Sequence, residues 1–280
     1  MEQNEYLNDF LKARNDLVKV FDCSYSLFIE KDTEDKDQIF YILSKKFINH
    51  INSFYYILSG TDFNDVIPDS HQIDHSSAKV VLRSAFETYV TMAHIFWNYP
   101  ERAQLRFLIY KHSGYRERQK FARTNATVNN EKISKKILEE SLRIKELESE
   151  ISLLAGQHGI PENYISYNLE KGWKSGKSWA EIAKETNLSN TYIDLSYPYF
   201  CGYSHSGYEA CMQLITDELE GYETRLQRHN FTYFYATYLV AIFYESFCSF
   251  LLSNKNFLYQ EEHSMGDIIL KYDKAIQSMW

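Results

Sequence analysis

Residues that interrupt helices are scarce along this chain. It holds 10 glycines and 4 prolines in 280 residues, whereas a sandwich of many short strands needs turn residues at frequent intervals. Within segments such as residues 36–58, apolar side chains recur mostly at intervals of three and four. That spacing is typical of one helix face. The sequence therefore predicts an all-α fold, a multi-helix bundle.

The composition fits one large helical domain with an inserted arm. Hydrophobic residues make up 44% and charged residues 24%, as in globular proteins, and we expect a single domain over residues 1–280. Residues 131–154 carry an apolar stripe on alternating threes and fours between charged positions, like a short coiled coil. We predict a protruding helical arm at residues 126–160 that dimerises or binds a protein partner, or else folds back as an antiparallel hairpin.

Charge and cysteine usage limit the cellular setting. The formal net charge of -8 disfavours a broad grip on nucleic-acid backbone but permits a local basic cleft. The 4 cysteines show no CxxC spacing and no disulfide framework, and the charged N-terminal segment lacks the apolar run of a signal peptide. A reducing cytoplasm is the predicted location.

Residues 231–252 are long and apolar enough to cross a membrane. The segment nevertheless contains Glu245 and has no basic cluster at either end to set a topology. A helix that is apolar on all sides is the usual centre of a large helical core. We predict a core helix and no membrane association.

A polar group interrupts an otherwise apolar helix at residues 76–97. Arg83 and Glu87 are four apart and share a helix face, and His94 returns to it seven residues later. Charges on an apolar helix are costly unless they are paired. The pattern indicates either a structural salt bridge beside a core histidine or a functional site.

The stretch "YPYFCGYSHSG" concentrates aromatic and reactive side chains in residues 197–207. On a helix, Tyr197, Cys201 and His205 lie at successive fours on one face. Histidine titrates near neutrality and suits general acid–base chemistry. Arg106 and His112 lie six apart on the preceding helical segment, and Arg106 is the better candidate for a phosphate ligand.

A histidine pair raises the alternative of a metal enzyme. His71 and His75 are four apart, but the segment lacks the glutamate of an HExxH motif and an evident third ligand. Capping and loop solvation are the favoured roles. We expect no metal and no cofactor, and His71, His75 and His94 remain the candidates for the metal alternative.

Residues 80–207 resemble a bacterial family known only as a domain of unknown function. The resemblance rests on "LRSAFETYVTMAHIFWNYPERAQLRFLIY", on the tryptophan-led "WKSGKSWAEIAKETNLSNTYIDL", and on a pattern Y-x-Y-L-S-x-Y-x-H. The last pattern is represented by Tyr197, Tyr199, Phe200, Cys201, Tyr203 and His205. Cys201 stands where the family has serine, and the proline that follows the histidine in the family is absent.

That family is similar to the HEPN superfamily, whose helical members include many ribonucleases of toxin–antitoxin, abortive-infection and antiviral systems. They commonly dimerise and bring arginine and histidine together at the interface. The resemblance implies that Arg83, Glu87 and His205, together with Arg106, form the polar site. The superfamily's usual Arg-polar-x-x-x-His signature is not intact in this chain.

We therefore expect a metal-independent ribonuclease or toxin-like effector of bacterial antiviral defence, with RNA as substrate. In this hypothesis His205 is the general acid/base, Arg83 or Arg106 binds the phosphate, and Glu87 orients Arg83. The expected substrate contacts come from three tyrosines, Tyr197, Tyr199 and Tyr203. The alternative is a non-catalytic protein-interaction module in which the polar cluster only stabilises the bundle.

Overall fold

The computed structural model describes residues 5–29, 33–124, 131–220, 222–260 and 262–279. Within these ranges the chain is helical apart from turns, loops and one isolated bridge between Thr61 and Gln72. The all-α prediction is confirmed. The α-helices are α1 (Glu5–Cys23), α2 (Asp35–Leu58), α3 (His75–Met92), α4 (Ala103–Thr124), α5 (Glu131–Gln157), α6 (Glu162–Lys171), α7 (Trp179–Ala183), α8 (Asn190–Ser204), α9 (Tyr208–Glu220), α10 (Tyr222–Lys255) and α11 (Met265–Gln277).

The helices form two compact units. The first comprises residues 1–92 and 186–280 and contains α1 to α3 and α8 to α11. The second comprises residues 93–185, with α4 to α7 and a five-residue π-helix, Ala93–Trp97, that follows α3 directly. The expectation that the whole chain acts as a single domain stays a prediction.

Helix α10 is the central helix of the first unit, as its apolar sequence predicts. It packs against α1, α2, α3, α9 and α11. Its aromatic rings stack closely on those of α2: the ring centroids of Phe243 and Phe47 are 3.8 Å apart, and those of Phe250 and Phe40 are 3.9 Å apart. The helix is long and apolar enough to span a membrane, but 72% of its most apolar stretch is buried inside the protein. The absence of membrane association stays a prediction.

In the second unit α4 and α5 pack as an antiparallel pair. His112 on α4 lies 3.2 Å from Glu148 on α5, and Gln119 donates a hydrogen bond of 2.9 Å to Ser141. A later residue on α4 thus contacts an earlier residue on α5, so the two helices run in opposite directions. Helix α5 carries the stripe expected at residues 131–154 and packs against α4 and α6. The first five residues of the arm expected at residues 126–160 lie outside the described part of the chain, and the choice between a protruding arm and a hairpin stays a prediction.

Candidate functional site

One face of α3 and one face of α8 form the polar site of the first unit. Lys79, Arg83 and Glu87 follow each other at intervals of four on α3, so their side chains lie on the same face of the helix. Helix α3 packs against α8. At the start of α8 the Ser189 hydroxyl accepts a hydrogen bond of 3.1 Å from the backbone N–H of Tyr192, which caps the helix. The cap fixes the residue at which α8 begins, and the packing of α8 on α3 brings its tyrosines to the polar site.

The predicted pair of Arg83 and Glu87 is formed, and it includes Tyr197. Nε of Arg83 lies 3.0 Å from Oε1 of Glu87, in an ion pair whose side chains are 20% and 24% exposed. The Tyr197 hydroxyl donates a hydrogen bond of 3.2 Å to the same carboxylate oxygen. The Arg83 guanidinium also lies 5.6 Å from the centroid of the Tyr197 ring. Three predicted residues therefore meet in one half-buried cluster.

The cluster holds Arg83 as a permanent cation. Burial by itself lowers the pKa of Arg83, but the Tyr197 hydroxyl and the Glu87 carboxylate raise it, and the net change is upward. The pKa of Tyr197 is raised, chiefly by burial, so its hydroxyl stays protonated and able to donate. An oriented, partly exposed guanidinium is suited to bind a phosphate group.

Lys79 lies one helical turn before Arg83 and extends the cluster. It was not predicted from the sequence. Its side chain is fully buried, and Nζ lies 3.9 Å from the ring centroid of Tyr203 and 5.0 Å from that of Tyr199. Among the described residues the ammonium has no hydrogen-bond partner. Burial, assisted by the charge of Arg228, lowers the pKa of Lys79 to about 7. The spacing of four from Arg83 is the sequence signal that points to this residue.

A second ion pair, also missed from the sequence, completes the site. Nε of Arg228 on α10 lies 2.5 Å from Oδ1 of Asp217 on α9, and the two side chains are 16% and 4% exposed. The residues are eleven positions apart on two different helices. No helical periodicity links them, so the pairing carries no local sequence signal.

The structure places His205 at the end of α8. It is the C-cap residue of that helix and is exposed to solvent. Ser206 has a φ of +52°, in the left-handed region, which ends the helix and turns the chain. Cys201, one turn before His205, is close enough to affect the pKa of Arg83. His205 thus follows Tyr197 and Cys201 along the site face of α8, at the solvent edge.

Arg106 belongs to the second unit and is engaged there. Its Nη1 donates hydrogen bonds to the backbone carbonyls of His94, at 2.7 Å, and Asn98, at 3.0 Å. Its guanidinium lies 4.9 Å from the ring centroid of Tyr99, whose φ of +58° is left-handed. His112 is fully buried against Glu148. The observed contacts of Arg106 hold the turn after the π-helix.

Among the described residues, His71, His75 and His94 belong to no group with metal-ligand spacing. His71 lies against Gly60, where an added side chain would collide with its ring, and His75 packs edge-on against His229 with ring centroids 5.4 Å apart. Burial lowers the pKa of His75 to about 3, so its ring is neutral. Within the described ranges, metal-ligand spacing occurs instead at Asp16, Glu262 and His263. There Nζ of Lys19 lies 2.6 Å from Glu262 and already supplies a positive charge.

The fold and the site define an all-α protein with a cationic cluster set among tyrosines. The chain belongs to a family of unknown function, DUF5677, which matches residues 63–223. The matched range includes α3 and α8 with Lys79, Arg83, Glu87, Tyr197 and His205, but it stops short of Arg228. No curated protein and no solved structure matches the chain.

Proposed function

We propose that the first unit is a metal-independent, cytoplasmic ribonuclease, a toxin-like effector of bacterial antiviral defence. The observation that carries this proposal is the Arg83 guanidinium, which is fixed through Nε by Glu87 while its side chain stays partly exposed. The terminal nitrogens of such a group are suited to bind two oxygens of a phosphodiester. Residues 80–207 resemble a family that is in turn similar to the HEPN superfamily, and this supports RNA as the substrate.

The proposed reaction needs only groups of the chain and water. The imidazole of His205 takes the proton of a ribose 2′-hydroxyl, and the 2′-oxygen attacks the neighbouring phosphorus. The P–O5′ bond breaks, the 5′-oxygen takes a proton from water, His205 returns its proton to the solvent, and a 2′,3′-cyclic phosphate remains. Arg83 neutralises the charge that builds on the phosphate oxygens, and Glu87 and Tyr197 position Arg83. The expected base contact of Tyr203 is no part of this mechanism, because this ring is buried and Lys79 lies over its face. Arg106 has no part in this mechanism, because its guanidinium holds the turn in its own unit.

Cleavage of a labelled single-stranded RNA in EDTA-containing buffer tests the proposal. We expect His205→Ala to slow cleavage by about 100-fold or more and to leave the melting temperature unchanged, since the side chain is exposed. Arg83→Gln is expected to lose a similar factor, and the exposed His158→Ala is the matched control with wild-type activity. Expression of the wild type, but not of His205→Ala, is expected to arrest bacterial growth. A wild type without cleavage activity, or a fully active His205→Ala, contradicts the proposal.

A second candidate function is a non-catalytic protein-interaction module, and an exposed stripe on α9 favours it. The stripe consists of four apolar side chains at intervals of four, three and four that are 42–81% exposed: Tyr208, Met212, Ile215 and Leu219. In this case Arg83→Gln only lowers the melting temperature and RNA is not cleaved. A homodimer or protein partner through residues 126–160 also stays a proposal, supported by the exposed Leu138 and Leu142 on α5.

A further inference from the structure

Lys79 is a buried lysine without an ion-pair partner in the part of the chain that the structure describes. Its side chain is fully buried, and its ammonium has no hydrogen-bond partner among the described residues. A charged amine in such a place is costly unless an anion pairs with it. Tyrosine rings offset part of this cost through cation–π attraction, but they supply no negative charge. The position therefore lacks an anion.

The groups around Lys79 do not supply that anion. Asp217 is the carboxylate that acts on it, and Asp217 already pairs with Arg228 at 2.5 Å. Burial lowers the pKa of both His75 and His229, and each is close enough to Lys79 for its charge to lower that pKa further, so neither supplies a negative charge. The tyrosines Tyr199 and Tyr203 keep their hydroxyl protons because burial raises the pKa of each. Among the described residues, Lys79 and Arg228 therefore share the carboxylate of Asp217.

We propose that Lys79 and Arg228 form a binding site for a small oxyanion, with the size and charge of a phosphate group. Asp217 pairs with Nε of Arg228 and the Tyr203 hydroxyl accepts a hydrogen bond from the same guanidinium, which leaves its remaining N–H donors for anion oxygens. Arg228 is partly exposed and contacts the anion from the solvent side. The flexible side chain of Lys79 brings its ammonium to the anion from the buried side. The tyrosine rings exclude water and strengthen the attraction.

This site goes beyond the proposed cleavage activity and does not depend on it. Lys79 lies one helical turn before Arg83 on the same face of α3, so the two cations are spaced by about 5–6 Å between Cβ atoms. That arrangement favours a phosphate of a nucleotide or nucleic-acid strand as the natural source of the anion. Free phosphate offers the same chemistry at the site.

Sulfate is the probe for this site, because its charge is constant between pH 6 and 9. We expect wild-type protein to bind one sulfate in calorimetry and to melt at a higher temperature in its presence. Lys79→Met is expected to bind sulfate at least tenfold more weakly and to melt above wild type when sulfate is absent, since it removes an unpaired charge. Lys45→Met, at an exposed lysine of α2 in the same unit, is the matched control and behaves as wild type.

The pH dependence gives a second readout on the wild type alone. Sulfate binding is expected to be tighter at pH 6 than at pH 8.5, with proton uptake at pH 7.5, because the anion favours protonated Lys79. A dinucleotide that binds more tightly than sulfate identifies a strand phosphate as the ligand, and equal affinity identifies free anion. His205→Ala keeps sulfate binding whatever its cleavage activity, which separates this site from the proposed reaction.

Two results overturn the oxyanion site. One is a Lys79→Met variant that sulfate stabilises as much as it stabilises wild type, which marks the anion as adventitious. The other is a Lys79→Met variant that melts below wild type without sulfate and leaves sulfate-linked proton uptake unchanged, which makes Lys79 a structural residue. Wild-type protein that binds sulfate without proton uptake and equally at both pH values also contradicts the site.

Discussion

Three cations of the first unit meet the cost of burial in different ways. Arg83 pairs with Glu87 on its own helix, Arg228 pairs with Asp217 across two helices, and Lys79 has tyrosine rings but no anion. Removing one partner of a buried ion pair leaves the other charge uncompensated, which costs more than the pair contributes. At the residue scale, Glu87 and Asp217 therefore contribute to the free energy of unfolding through the cations they pair with. Lys79, which has no such carboxylate among the described residues, indicates a bound anion.

Asp217→Asn tests how much the buried pair contributes. We expect the free energy of unfolding in urea to fall by about 3 kcal/mol, because Arg228 is left without its counterion. The exposed pair of Arg143 and Glu146 provides the control: Glu146→Gln is expected to change stability by less than about 1 kcal/mol. In a Lys79→Met background the cost of Asp217→Asn is expected to shrink, since Asp217 also acts on Lys79. Equal losses for Asp217→Asn and Glu146→Gln would show that the pair contributes little.

At the scale of elements, α9 differs from its neighbours in leaving an apolar face uncovered. Helix α3 packs against α2 and α8, whereas the α9 stripe faces solvent. The exposed charged residues of α9 are all acidic: Glu209, Glu218 and Glu220. Two copies of this helix would repel each other across such a surface. The stripe therefore suits a basic amphipathic helix of another protein.

A labelled peptide of about 18 residues, with leucines on one helix face and lysines on the other, tests this surface. We expect fluorescence anisotropy to show binding that weakens with added salt and that Ile215→Glu reduces at least tenfold. Tyr56→Glu, at an exposed aromatic of α2, is the matched control and keeps wild-type affinity. The same peptide with glutamates in place of the lysines should not bind. Equal binding of the two peptides would rule out an acidic docking face.

At the scale of the whole molecule, each unit carries a buried histidine that must remain neutral. Burial is the main cause that lowers the pKa of His75 in the first unit and of His94 in the second unit to about 3. In the unfolded chain these rings take up protons near pH 6.5. The unfolded state then binds more protons between pH 6.5 and 3, so stability falls as the pH falls through this window.

Thermal melts recorded from pH 7 to pH 4 test this acid sensitivity. We expect the melting temperature to drop steadily below pH 6.5, with each buried histidine contributing up to about 1.4 kcal/mol per pH unit. His75→Gln and His94→Gln are expected to flatten the decline, whereas His158→Gln, at an exposed histidine, leaves it unchanged. A decline with the same slope in all three variants would assign the acid sensitivity to other groups.

The sequence by itself determined the parts of the protein that depend on short-range spacing. Scarce glycine and proline, with apolar residues at threes and fours, specified the helices and the apolar central helix at residues 231–252. The ion pair of Arg83 and Glu87 was predictable because both lie on one helix, four residues apart. Backbone geometry alone brings such side chains together.

Only the tertiary structure decided the contacts between helices. Lys79 meets Tyr203, and Arg228 meets Asp217, because α3, α8, α9 and α10 pack in one arrangement that no local period encodes. The exposure of His205 likewise follows from where α8 ends, since a left-handed residue turns the chain there. Packing selects partners by shape and burial over the whole core, so the unpaired charge of Lys79 became evident only in three dimensions.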